Sequence, residues 1–148
     1  MKKTLNNLVD VREVLRENDF KVIGNEEVIH VRILSNGPVA TLHILDGIAG
    51  PVLDISYPVI PASNLLEDSE AAIALLVMNS KINPYAFAIH SDEEGEIDED
   101  TSVVLTDRIP IGDLSEEEIL HSINALLVAL EMSKPILRAI NQVEAIAV

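Results

Sequence analysis

The sequence predicts an α+β fold: an antiparallel sheet of about five strands with helices packed on it, in the order α-β-β-β-α-β-β-α(α). Three observations carry that expectation. Val28–Leu45 alternates apolar and polar residues on either side of Asn36-Gly37, a strong short-range hairpin signal. Residues 5–17, 64–81 and 115–132 repeat apolar side chains at helical spacing. A chain of 148 residues, 48% of them apolar, is the size of one domain and can bury a sizeable core, so residues 1–148 are expected to form a single domain.

Thr4 is placed to cap a first helix over Leu5–Glu17, with Leu5, Leu8, Arg12 and Leu15 on one face and Val9, Val11 and Val14 widening it. Phe20–Ile23 reads as a short strand before Gly24-Asn25. With Asn36-Gly37 as a two-residue loop, the hairpin pairs His30 with His43, Arg32 with Thr41, Val31 with Leu42 and Ile29 with Ile44. That register gathers the apolar residues on one face and the polar ones on the other. Pro38 lacks the N–H that a paired position offers, so a longer loop is the alternative, and it keeps the same faces. After the turn-rich link Asp46–Pro51, Val52–Val59 alternates again, and Pro58 and Pro61 place it at a sheet edge.

Asn64 or Asp68 caps a second helix reaching about Lys81, apolar over most of its circumference and therefore expected to be central. Asn83-Pro84 stops it, and Tyr85–Ile89 follows as a strand. Asp92–Asp100 holds seven carboxylates and reads as an exposed hairpin tip before a returning strand Thr101–Thr106. Ser115 and Glu118 form a capping box, with Asp113, Glu116 and Glu117 complementing the positive end of the helix dipole. The helix runs to about Met132. A break near Ser133 then lets Pro135 occupy the first turn of a further helix, whose residues 136–148 partly protrude from the core.

Composition excludes more than it assigns. The net charge is −15, and the whole deficit falls after Leu34, where four basic residues face nineteen acidic ones. That balance speaks against nucleic acid as a partner, which needs a basic surface to release counterions, and against anionic lipid. No apolar run approaches a membrane span, and a cytoplasmic protein without membrane insertion is expected. The absence of cysteine removes disulfides, thiolate nucleophiles and cysteine zinc sites.

No catalytic residues and no cofactor are expected. Gly-x-Ser-x-Gly, a phosphate-binding glycine loop and His-Glu-x-x-His are all missing. The acidic run fails as a calcium loop: counted from Asp92, the sixth position is Ile97 where Gly is required, and the twelfth is Val103 where Glu is required. His30 and His43, opposite one another in the inferred register, are the candidate pair for a small-ligand or metal-responsive sensor, with Asp54 joining only if the third strand aligns. Two ligands make no metal site, and none is assigned. His90 and His121 read as structural or exposed.

Leu75–Ile89, the acidic tip and Ile109–Leu120 together resemble the helix-to-strand junction and last-helix start of the YbjN-like family, which has a type III secretion chaperone-like fold. The similarly arranged YjfI-like family fits the same pattern. The resemblance implies a small, acidic, commonly dimeric protein that binds a protein partner or client, or regulates a response, without catalysis. The surfaces offered for that partner are His30, Arg32, Thr41 and His43 on the outer sheet face, and Ile136, Ile140 and Val143 in the tail. A homodimer through the apolar second helix or the C-terminal stripe is also expected.

Overall fold

The computed structural model describes residues 4–90 and 95–146, with side chains through Asn141. The class is α+β as expected, with three α-helices, a six-stranded, mostly antiparallel sheet and a separate two-stranded ladder among the described residues. The strands are β1 (Thr4–Leu5), β2 (Val22–Gly24), β3 (Ile29–Arg32), β4 (Val39–Gly47), β5 (Gly50–Pro61), β6 (Ala86–Ile89), β7 (Ser102–Pro110) and β8 (Leu114–Ser115). The helices are α1 (Leu8–Glu17), α2 (Ser69–Asn79) and α3 (Glu116–Ile146). The large sheet has the order β2-β3-β4-β5-β7-β6, and β1 pairs with β8. Contacts cluster into two compact units: Met1–Tyr57 with Thr106–Ala125, and Pro58–Leu105 with Leu126–Val148.

In the first unit, Thr4 does not cap α1. Thr4 and Leu5 pair with Ser115 and Leu114, and the cap is Asn7, whose side chain accepts from the Asp10 N–H at 2.9 Å. The helix buries Leu8, Val11, Val14 and Leu15, and Leu5 is buried from β1. Each such side chain removes enough apolar surface to contribute roughly 1.5–3 kcal/mol before entropy. The opposite layer is the apolar face of the hairpin: Ile29, Val31, Ala40 and Leu42 are all buried.

The hairpin register differs from the expected one by two positions, with Thr41 rather than His43 opposite His30, and Val39 rather than Thr41 opposite Arg32. The cause is Pro38. The turn closes through the last N–H available before it, from Gly37 N–H to the Leu34 carbonyl at 3.4 Å, so Ser35 and Asn36 become its central residues. Gly37 lies close to Tyr57 instead: a Cβ there would stand 2.7 Å from the Tyr57 hydroxyl oxygen, so the end of that ring would have to shift. Moving the turn by one residue shifts the pairing by two, which preserves the faces.

β5 is not an edge strand; it lies between β4 and β7. The ladder with β4 ends at Thr41–Ser56, before Pro58, and Pro51 and Pro61 stand at the strand's ends. Ser115 caps α3 as expected, accepting from Glu118 N–H at 3.2 Å, while its own hydroxyl donates to the Glu118 carboxylate at 3.1 Å.

In the second unit, Asp68 caps α2, accepting from the Ala71 N–H at 3.0 Å. The core there is built from Ile60, Ala62, Ala71, Leu75, Ile82, Tyr85, Phe87, Val103, Leu105, Leu126, Ala129 and Ile140. The expected break near Ser133 is absent, and α3 continues through Pro135 to Ile146. Proline removes one helix hydrogen bond, to the carbonyl of Glu131. Glu131 and Pro135 are both exposed, whereas Ser133 and Ile140 are buried, so packing on one side holds the helix while solvent meets the defect on the other.

Candidate functional site

The polar face of the hairpin continues onto β5 and β7 and centres on Asp54. Register places Asp54 opposite His43 and Ser56 opposite Thr41. Asp54 is 0% exposed, an unusual position for a carboxylate, and one oxygen is well served. Its Oδ1 accepts from the Thr106 hydroxyl at 2.9 Å and from Arg108 Nε at 3.1 Å. Thr106 and Arg108 are two apart in β7, so strand alternation brings both to this face. Oδ2 has no hydrogen-bond partner, nor has His43 Nδ1, which stands 3.8 Å from it. Between them Asp107 points the other way and accepts from the Ser122 hydroxyl of α3 at 2.8 Å. Burial, the largest influence, pushes the Asp107 carboxyl above its ordinary range, against the hydrogen bonds from Ser122 and the Arg108 backbone.

The residues singled out from sequence are only partly brought together. His30 Nδ1 lies 3.2 Å from the Thr41 hydroxyl, His43 faces Asp54, and Arg32 folds back to donate to the Gly37 carbonyl. His30 and His43 are therefore not directly opposite one another but stand diagonally on the same face of the hairpin. Among the described residues no group of three or more His, Asp or Glu is placed to hold a metal ion. In the acidic run, Asp98 is occupied locally, accepting from Asp100 N–H at 2.9 Å and from the Thr101 hydroxyl at 3.0 Å; Asp92 and Glu94 lie outside the described residues. His90 and His121 are exposed. In the tail, Ile136 is half-buried and Ile140 buried, and the Val143 side chain lies outside the described residues.

The second unit presents a surface that the sequence reading misplaced. α2 is not central: it buries only Ala71 and Leu75, while Ile73 is 59% exposed, Leu76 65% and Val77 57%. Beside it a groove of about 340 Å³ is lined by Leu65, Ala72, Leu75, Leu76, Phe87 and Ile89, with almost no polar surface. Leu75 and Phe87 form its buried floor, and Leu76 and Ile89 its exposed rim. β6, which supplies Phe87 and Ile89, is the last strand of the sheet. Its Phe87 N–H is capped by the Asn79 side chain of α2 at 2.6 Å, one of the ways an edge strand is kept from indiscriminate pairing. The signal for this surface was in the sequence: a helix apolar all round either sits in a core or meets a partner.

No family model and no curated protein matches the sequence. Among solved structures, the chain is similar to one titled "Crystal structure of YbjN, a putative transcription regulator from E. coli", with a TM-score of 0.62 and 13% identity over 93% of this chain and 94% of that one. The chain has the YbjN fold. At that identity the likeness shows the fold alone. No α-helix among the described residues is long and apolar enough to cross a membrane.

Proposed function

We propose that this chain is a non-catalytic protein-binding domain, regulatory or chaperone-like, that takes apolar side chains of a partner protein into the groove between α2 and β6. The observation that carries the reading is the exposure of large apolar residues where the fold does not require it. Isolated exposed leucines are normal, but Leu76 and Ile89 are both exposed on the rim of one apolar groove, and Ile73 and Val77 are exposed on the same helix. The YbjN structure bears the name of a regulator, which agrees with a binding role. A net charge of −15 favours regulation through protein contact over direct contact with nucleic acid.

The test is cross-linked capture from lysate of the source cells, comparing wild type with Ile89→Glu, which puts a carboxylate on the groove's rim. A defined set of proteins held by wild type and lost with Ile89→Glu, while both proteins melt at the same temperature, supports the reading. The same captured set from both rejects it.

A further inference from the structure

We infer that the partner segment taken into the groove between α2 and β6 is basic as well as apolar: its large apolar side chains fill the groove, and a lysine or arginine beside them sits at the end where α2 begins. This rests on the protein-binding reading above and names the chemistry of the partner. The groove has two unlike ends. At one, Asn79 in the last turn of α2 accepts from the Phe87 N–H of β6. At the other, the turn leading into α2 meets the chain leading into β7, where the Ala62 N–H donates to the Thr101 carbonyl at 2.9 Å. Each of these two chains carries a lining residue into the groove, Leu65 and Val103. Each is also acidic beside it: Glu67, Asp68 and Glu70 follow Leu65, and Asp98, Glu99 and Asp100 precede Val103. All of these but Asp68 are exposed.

The positive end of α2 offsets only part of this charge, roughly half a unit against six carboxylates. The cations of the same unit stand elsewhere. Lys81 lies past the opposite end of α2, and Lys134 and Arg138 are beside Glu131 on α3. Next to an apolar wall the field of such a cluster is focused rather than dispersed in water, so this mouth draws a cation and repels an anion. A fatty acid or an anionic phospholipid would fill the groove with its chain but bring its head group against the carboxylates. A protein segment with Lys or Arg beside Leu, Ile, Met or Phe satisfies both features at once. Exposed charge pairs are individually weak, so apolar burial holds the segment while charge selects it and sets which end lies at the mouth.

The probe is a display library of random short peptides selected on the full-length protein, with the enriched sequences synthesised and their dissociation constants read by fluorescence anisotropy. The enriched peptides are expected to carry large apolar residues with Lys or Arg to one side, and to weaken when Leu76→Ser and Ile89→Ser together remove apolar surface from the rim without adding charge. Glu70→Lys with Glu99→Lys weakens them on the order of tenfold. The same peptides with glutamate in place of their cations bind that doubly reversed variant better than wild type. Glu70→Lys also opposes the α2 dipole, so Glu99→Lys, which lies off the helix, is measured alone as well, and every variant is checked for unchanged melting. Peptides that depend on the rim but carry no cation, or that hold wild type and the doubly reversed variant equally, overturn this inference and leave the groove reading standing. Peptides that bind the rim variant as tightly as wild type overturn both. A selection that enriches nothing overturns this inference, and the groove reading is then decided by the capture test alone.

Discussion

Asp54 in the first unit and the α2 face in the second both depart from the usual sorting of residues, in opposite senses. Asp54 is a charge where apolar groups belong, and Ile73, Leu76 and Val77 are apolar where water is expected. The charge of the carboxylate is balanced within its own unit by Arg108, and Thr106 and Arg108 both donate to Oδ1, although Oδ2 has no hydrogen-bond partner. Nothing among the described residues covers the apolar face. A misplaced residue that its own fold satisfies is evidence about stability, whereas one left unsatisfied is evidence about a partner. That is why the proposed function rests on the second unit, although the first has the more unusual chemistry.

The contrast is broken most easily at Arg108. Removing it leaves a buried carboxylate with one hydroxyl donor, and a buried charge stripped of its partner costs about 3–5 kcal/mol. Because Arg108 is itself 56% exposed, the lower end applies, about 3 kcal/mol for Arg108→Ala in urea unfolding followed by circular dichroism. In an Asp54→Asn background the same change should cost under about 1 kcal/mol, since no charge remains to be compensated. Equal costs in both backgrounds would mean that Asp54 does not depend on Arg108.

A smaller effect separates two neighbours on α2. Leu75 is 3% exposed and lines the groove floor, so Leu75→Ala should cost about 2–3 kcal/mol, the low end for a core leucine because the open groove limits the cavity. Leu76→Ala, one residue on, should change the stability of the monomer by less than about 0.5 kcal/mol. A similar loss at both positions would mean that α2 packs more deeply than its exposure indicates, and the face would then need no partner.

Local chemistry was legible in the sequence, and placement was not. The caps of α2 by Asp68 and of α3 by Ser115, and the two faces of the hairpin, follow from residues a few positions apart. The register followed from Asn36-Gly37 only until Pro38 withheld its N–H, and the closeness of Tyr57 to Gly37 that uses the glycine differently is a contact between distant residues. The interior position of β5 likewise depends on where β4 stops pairing, which its prolines alone do not reveal. Pro135 reads locally as a helix start, yet burial of Ser133 and Ile140 on either side of it carries α3 through. α2 illustrates the limit most plainly. A helix with no polar side has no sequence signal for which side faces the core, so the same residues read as a centre and fold as a surface.

Asp107 offers the smallest and most selective test, because it is a carboxylate of the same strand as Arg108 that faces the opposite way. Burial raises its pKa above the ordinary 3.8, so the folded chain holds this proton more tightly than the unfolded chain does. Stability from this group is then fully present below the ordinary carboxylate range and is lost as pH rises through the raised folded value, since over that window the native state binds more protons. Above it, both states are ionised and the half-buried charge is a standing cost. Asp107→Asn keeps an oxygen for the Ser122 hydroxyl and removes the charge, so it should leave stability at neutral pH unchanged or slightly raised and flatten the decline on the alkaline side of the ordinary carboxylate range. The comparison is with Asp54→Asn, which discards the Arg108 ion pair along with the charge and should lower stability at neutral pH. Urea midpoints measured from the ordinary carboxylate range up to neutral pH distinguish the two. If Asp107→Asn is the more damaging change, the Ser122 contact needs a full carboxylate, and burial is not what governs this site.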